Sequence, residues 1–339
     1  MDNTEEKKFF SKIGLSYLIG AVVYYVMVSV LGAVLYKTYP SFMTGQGSMF
    51  MSFGTLFIIG YPLMYFLIKE VPVSEIPKKK LGFGMAIVSF FCAYFIMVVC
   101  NVIGLIINAQ IGKITGKGLM NPIVGAMGEL NIFAQVLIVV ILAPIAEELV
   151  FRKMLVDRVY KYGELLAALT SGLMFGLFHG NFQQFVYAFG LGVFFAFIYI
   201  RTGKIIYTII FHICINFLGT AVASLVMGEI DIQQVQQYMF SGQMDKYMEY
   251  VNEHMAAFAF LGLYGFVMLI VILIGFILTC VFARKFKFVK HDSDLTGSQA
   301  FVSLFANTGM ILFIVWWIFN IVLAQFGTSF TNLIYKLFV

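Results

Sequence analysis

The chain has 339 residues, 61% of them hydrophobic and 12% charged, with a mean hydropathy of +0.93. Soluble domains carry about 25% charged residues, so the composition excludes a water-soluble globular protein, and the lack of alternating ten-residue segments excludes a membrane β-barrel. The net charge of +5 is not a nucleic-acid footprint, because the basic residues sit in connections between apolar runs, where they set topology.

Nine apolar segments are predicted as membrane helices, near residues 13–36, 47–68, 82–110, 130–156, 164–180, 183–201, 204–227, 256–283 and 301–326. Each approaches or exceeds the roughly 20 residues that cross a bilayer as a helix. The first run, Ile13 to Tyr36, is too long for a signal-peptide core and lacks an A-x-A cleavage site, so it reads as a retained helix. The fifth and sixth segments share one run without Asp, Glu, Lys or Arg, Leu165 to Ile200, and the string HGNFQQF, His179 to Phe185, supplies a turn between them. The expected class is all-α: one polytopic membrane bundle over residues 1–339, with about nine transmembrane helices. Cys92, Cys100, Cys214 and Cys280 all lie in apolar segments and form no CxxC pair, which points to buried thiols rather than a disulfide framework or a zinc knuckle.

Basic residues alternate between connections. Seventeen of the 22 Lys and Arg lie at the N-terminus (Lys7, Lys8, Lys12) and in the connections before the third, fifth, seventh and ninth segments. The other five are Lys37, Lys113, Lys117, Lys246 and Lys336. This bias predicts a multi-pass cell-membrane protein with a cytoplasmic N-terminus and the C-terminus outside. Residues 228–255 hold Glu229, Asp231, Asp245, Glu249 and Glu253 against one lysine. On this topology they form an acidic, non-cytoplasmic stretch, either an interfacial helix, a cap or a solvated loop.

Three polar sites break the apolar pattern. An ionisable group deep in a membrane helix costs about 2.5–3.5 kcal/mol on insertion scales and needs a reason. In Glu147-Glu148-Leu-Val-Phe-Arg152, adjacent glutamates point about 100° apart. Glu148 and Arg152 stand at i and i+4 in the favoured order for an ion pair. Arg152 and Lys153 also fit a snorkelling helix end, whereas Glu147 lies a full turn deeper. Phe175 and His179 share a face at i and i+4, a weak signal alone because the chain has 38 phenylalanines. His212 and Asn216 share a face in the same way. If the fourth and fifth segments fold as a hairpin about Gly163, Glu147 and His179 each lie 16 residues from the turn, about 24 Å along each helix. The three sites can then converge, with acid, imidazole and amide placed as a water-activating centre requires.

EExxxR, FxxxH and HxxxN on three successive polar-marked helices, here EELVFR, FGLFH and HICIN, resemble the motifs of the CPBP (Abi) family, which includes the type II CAAX prenyl proteases. The resemblance spans Glu147 to Asn216, about a fifth of the chain, within candidate catalytic core helices at residues 130–227. It implies an intramembrane endopeptidase acting on a membrane-associated peptide or protein, with the bilayer as the other partner and no nucleic acid. Carried onto this chain, Glu147 is the general base, His179 helps hold the water, and His212 and Asn216 donate to the oxyanion. Glu148, Arg152 and Phe175 support them. Such donors are worth about 3–4 kcal/mol each in a dry site. No cofactor is expected to be required. The alternative is zinc held by Glu147, His179 and His212, although no HExxH occurs and an amide is a poor zinc ligand. Two other functions compete: a catalytically silent membrane binding protein of the bacteriocin-immunity or signalling kind, and a proton-coupled transporter using Glu147. Against the transporter, no inverted repeat is visible.

Overall fold

The computed structural model describes residues 4–43, 46–115, 130–228, 230–292, 294–325 and 330. Lys117, Glu229 and Lys336, counted above, lie outside these residues. All regular structure described is helical. In chain order the helices are α1 (Thr4–Thr38), α2 (Gln46–Ile68), α3 (Phe83–Lys113), α4 (Ile132–Tyr162), α5 (Glu164–Phe178), α6 (Phe182–Thr202), α7 (Ile206–Leu225), α8 (Ile232–Phe240), α9 (Met244–Glu253), α10 (Met255–Lys285), α11 (Gly297–Phe305) and α12 (Thr308–Gln325).

Eight of them are long and apolar enough to cross a membrane. The protein is therefore an all-α polytopic bundle, with two departures from the nine expected spans. The fifth expected span is the 15-residue helix α5, about 22 Å long, shorter than a hydrocarbon core of about 30 Å. The ninth is divided. α11 ends at Phe305, and Asn307 restarts the chain as α12 by accepting from the Met310 N–H at 2.9 Å while donating to the Ser303 and Leu304 carbonyls. The acidic stretch is helical over α8 and α9. Tyr250 of α9 ties the end of the stretch to its start, its hydroxyl accepting the Asp231 N–H at 2.8 Å and its ring stacking on His254.

Two packing features place the site. Gly163 joins α4 to α5 with φ of 127°, a conformation other residues rarely adopt, and so closes the hairpin expected there. α5 then lies directly on α6, because Gly172 and Gly176 leave no room for a side chain. A Cβ at Gly176 would stand 2.8 Å from the Phe185 carbonyl oxygen, and one at Gly172 2.8 Å from that of Phe189. The main buried cluster runs through α1, α2, α4, α5 and α12, around Phe10, Tyr17, Met64, Phe151, Phe175 and Trp317. A second, on α3, α6 and α7, is built around Cys92, Phe195 and Phe211. The site lies where the two meet.

Candidate active site

α4 is not a uniform helix. Residues Ala143–Glu148 form ordinary α-helix between two π-helical stretches, Gln135–Leu142 and Leu149–Met154. Pro144, at the start of the middle stretch, lacks the N–H that a continuous ladder would use. Wide turns of this kind recur at functional positions, and here they flank both glutamates.

Glu148 and Arg152 form the expected i, i+4 ion pair, at 3.1 Å, with both side chains 0% exposed. Arg152 therefore does not snorkel. Its guanidinium lies over the Phe175 ring at 4.7 Å and towards the Phe195 ring at 5.7 Å, so apolar burial is partly offset by aromatic faces. Lys153 does reach outward, to Asp157 at 2.6 Å, and Tyr199 donates to the same carboxylate at 2.7 Å.

The second oxygen of Glu148 faces the Nδ1 of His212 at 3.0 Å. Because a carboxylate so engaged accepts, this nitrogen carries the proton. The opposite nitrogen, Nε2, points to Glu147 at 3.7 Å. One imidazole from α7 thus bridges the two adjacent carboxyls of α4. Glu147 differs from its neighbour in one respect that matters: its side chain is 20% exposed, whereas that of Glu148 is 0% exposed.

His179, at the C-terminal end of α5, directs Nδ1 to the Phe175 carbonyl at 2.8 Å. A carbonyl only accepts, so Nδ1 donates and Nε2 presents a lone pair. Phe175 links the motifs. Its ring meets His179 edge-on at 4.8 Å, His212 edge-on at 5.9 Å and Arg152 face-on. Asn216, one turn beyond His212, donates its amide to the Val139 carbonyl of α4 at 2.9 Å. That bond fastens α7 to α4 and leaves Asn216 one further N–H.

The structure thus joins Glu147, Glu148, Arg152, Phe175 and His212 in direct contact, brings in His179 through Phe175, and holds Asn216 against the same helix. Sequence reasoning did not single out Phe195, whose ring contacts both Arg152 and His212, or Tyr187, which stands 6.4 Å from the His179 ring and accepts from Gln184 at 2.8 Å. Neither carries a spacing signal. Gln184 and Asn181, in the quoted turn, do: Asn181 caps α6 through the Gln184 N–H and donates to the His179 carbonyl.

The zinc alternative needs Glu147, His179 and His212 as one ligand set. Among the described residues no three His, Cys, Asp or Glu side chains are grouped as metal ligands. His212 and His179 direct Nδ1 to Glu148 and to the Phe175 carbonyl, which leaves Nε2 of each ring facing the site.

A family model, type II CAAX prenyl endopeptidase Rce1-like, matches residues 129–218, the segment from α4 to α7 that carries every site residue above. The chain is thus a polytopic membrane protein whose segment from α4 to α7 is similar to the type II CAAX prenyl endopeptidase Rce1-like family. Among curated proteins, it is 31% identical over 104 residues to "Putative membrane peptidase YdiL" of Bacillus subtilis (strain 168), a match covering 30% of this chain and 43% of that protein. The chain therefore spans less than half the length of this relative. No solved structure matches.

Proposed function

We propose that the chain is an intramembrane endopeptidase that hydrolyses a peptide bond of a membrane-associated peptide or protein precursor. The observation that carries this reading is the bridge of His212 between two unlike carboxyls. Glu148 is neutralised by Arg152 and shut away from water, whereas Glu147 is open to it. The match of this segment to a peptidase family model and to a relative named as a membrane peptidase supports the same reading.

The chemistry follows from the atoms available. A water between Glu147 and the free Nε2 of His179 gives its proton to the Glu147 carboxylate, and its oxygen bonds to the substrate carbonyl carbon. The carbonyl oxygen takes up the negative charge and receives the remaining N–H of Asn216, while His212, its Nδ1–H held by Glu148, stands beside Glu147 and orients it. When the C–N bond breaks, the proton on Glu147 passes to the leaving amine. Charge and protons balance without a metal, and the mechanism requires none.

Water must reach this depth. α5 ends at His179 about 22 Å from the Gly163 turn, and non-helical backbone inside a membrane is tolerated only where it is buried in protein or lines a water-filled cavity. The His179–Asn181 turn meets that condition through its own side-chain bonds. With the N-terminus cytoplasmic, Gly163 lies on the cytoplasmic side and the C-terminus outside.

The test compares the peptides of cells expressing native protein and Glu147→Gln, with the melting temperature of both purified proteins as the folding control. Accumulation of an uncleaved precursor in the variant, at unchanged melting temperature, is expected. Full cleavage by well-folded Glu147→Gln removes the general base. Identical peptides with either protein, and no cleavage by the purified native chain, favour a silent binding protein.

A further inference from the structure

We propose that the groove beside the N-terminal half of α1 is a binding site for an anionic phospholipid. It is a surface cavity of about 600 Å³ between α1, the end of α2 and the beginning of α12. Its α1 wall changes character along its length. Lys7, Lys8 and Lys12 line one end, and Leu15 and Ile19 continue the wall, with Leu67 of α2 opposite. Lys8, Lys12, Leu15 and Ile19 follow at three- and four-residue steps, so they form one stripe on one helix face. Lys12 and Ile19 are about 10 Å apart along the axis.

Among the described residues, one of the three ammonium groups at the basic end is paired. Lys8 pairs with Glu5 at 2.9 Å. Among the described residues neither Lys7 nor Lys12 has a carboxylate within ion-pair distance. The apolar end is left open in the complementary sense: Ile19 is 42% exposed, in a helix that a membrane surrounds. Two ammonium groups with no carboxylate partner among the described residues, at the start of a membrane helix and followed by an apolar channel running inward, match the amphiphile whose headgroup is anionic and whose chain enters the bilayer. A soluble anion would use the first half alone, and a neutral lipid the second. Basic pockets between membrane helices take such headgroups, each lysine contributing about 1 kcal/mol near the surface, a factor of about five. The site lies outside α4 to α7 and does not depend on the peptidase reading.

The probe is phosphatidylglycerol, titrated against the purified full-length chain in mild detergent and read by native mass spectrometry, with phosphatidylcholine as the neutral control. The native chain is expected to retain phosphatidylglycerol over phosphatidylcholine, and Lys7→Gln with Lys12→Gln to weaken that binding by about thirtyfold. Lys285→Gln with Lys287→Gln, which removes the same charge elsewhere, is expected to leave it within about threefold. Equal loss in both double variants would reduce the effect to general surface charge and overturn the site. So would unchanged binding in the Lys7 and Lys12 variant, or full displacement by glycerol 3-phosphate at equal concentration, which would make this a site for a free anion.

Discussion

The pair Glu148 and Arg152 makes a quantitative prediction about stability. Both side chains are 0% exposed and their charged atoms are 3.1 Å apart. Glu148→Gln keeps the shape and removes the charge, so the guanidinium keeps its two aromatic faces but loses its counter-ion. Removing one partner of a buried pair costs about 3–5 kcal/mol. The retained contacts with Phe175 and Phe195, about 2 kcal/mol when desolvated, keep the expected loss near the lower bound, about 3 kcal/mol. Arg152→Met is expected to cost about as much, because it removes the cation beside Glu148 and leaves the buried carboxylate with His212 and Thr208. The double variant leaves neither charge and fills both positions. It is expected to lose at least about 2 kcal/mol less than the two single losses combined. The assay is equilibrium unfolding of the purified proteins in mixed micelles, followed by fluorescence of Trp316 and Trp317. Losses that add within about 0.5 kcal/mol would show that the two residues are not coupled and would refute the reasoning.

Gly176→Ala puts a Cβ 2.8 Å from the Phe185 carbonyl oxygen. It is expected to destabilise by about 1–3 kcal/mol and to lower cleavage further by displacing His179, as read by thermal melts alongside turnover. For topology, cysteine introduced at Asp245 should be labelled by an impermeant reagent on intact cells, and cysteine at Lys80 should be protected; the reverse pattern would invert the orientation. For the metal question, a strong chelator is expected to leave purified enzyme active, with well under one zinc per chain by elemental analysis. Asn216→Asp removes the oxyanion donor and also the bond to Val139, so turnover is expected to fall while substrate binding holds, with a melt to separate loss of fold. Activity lost to chelator and restored by zinc would make a metal centre the better account.

Periodicity and hydropathy placed most of the helices because a membrane imposes them: each span must bury its own backbone hydrogen bonds and present an apolar surface. They failed where a side chain ends a helix inside an apolar run. Asn307 divides α11 from α12 by bonding backbone on both sides of itself, whereas the break that Asn181 makes ahead of α6 was legible as the HGNFQQF turn. A hydropathy window registers such a residue as one mildly polar position. The charge alternation counted a crossing at α5, which its 15 residues reach only as a partial one.

At the site, what lies within one helix could be read and what lies between helices could not. The i, i+4 spacing of Glu148 and Arg152 anticipates their pairing whatever the neighbours do. The same spacing puts His212 and Asn216 on one face but leaves open what that face meets. His212 meets two carboxyls, one at each nitrogen, and Asn216 meets a backbone carbonyl. Phe175 was distinguished from 37 other phenylalanines only by a four-residue step to a histidine, yet its ring is where Arg152, His179 and His212 touch. The difference between the two glutamates is of the same kind. Sequence places them about 100° apart, and packing then decides which is enclosed. With Arg152 and the Nδ1 of His212 turned to Glu148, the carboxyl left partly exposed is Glu147, and that difference rests on the positions of neighbouring helices rather than on the motif that contains both residues.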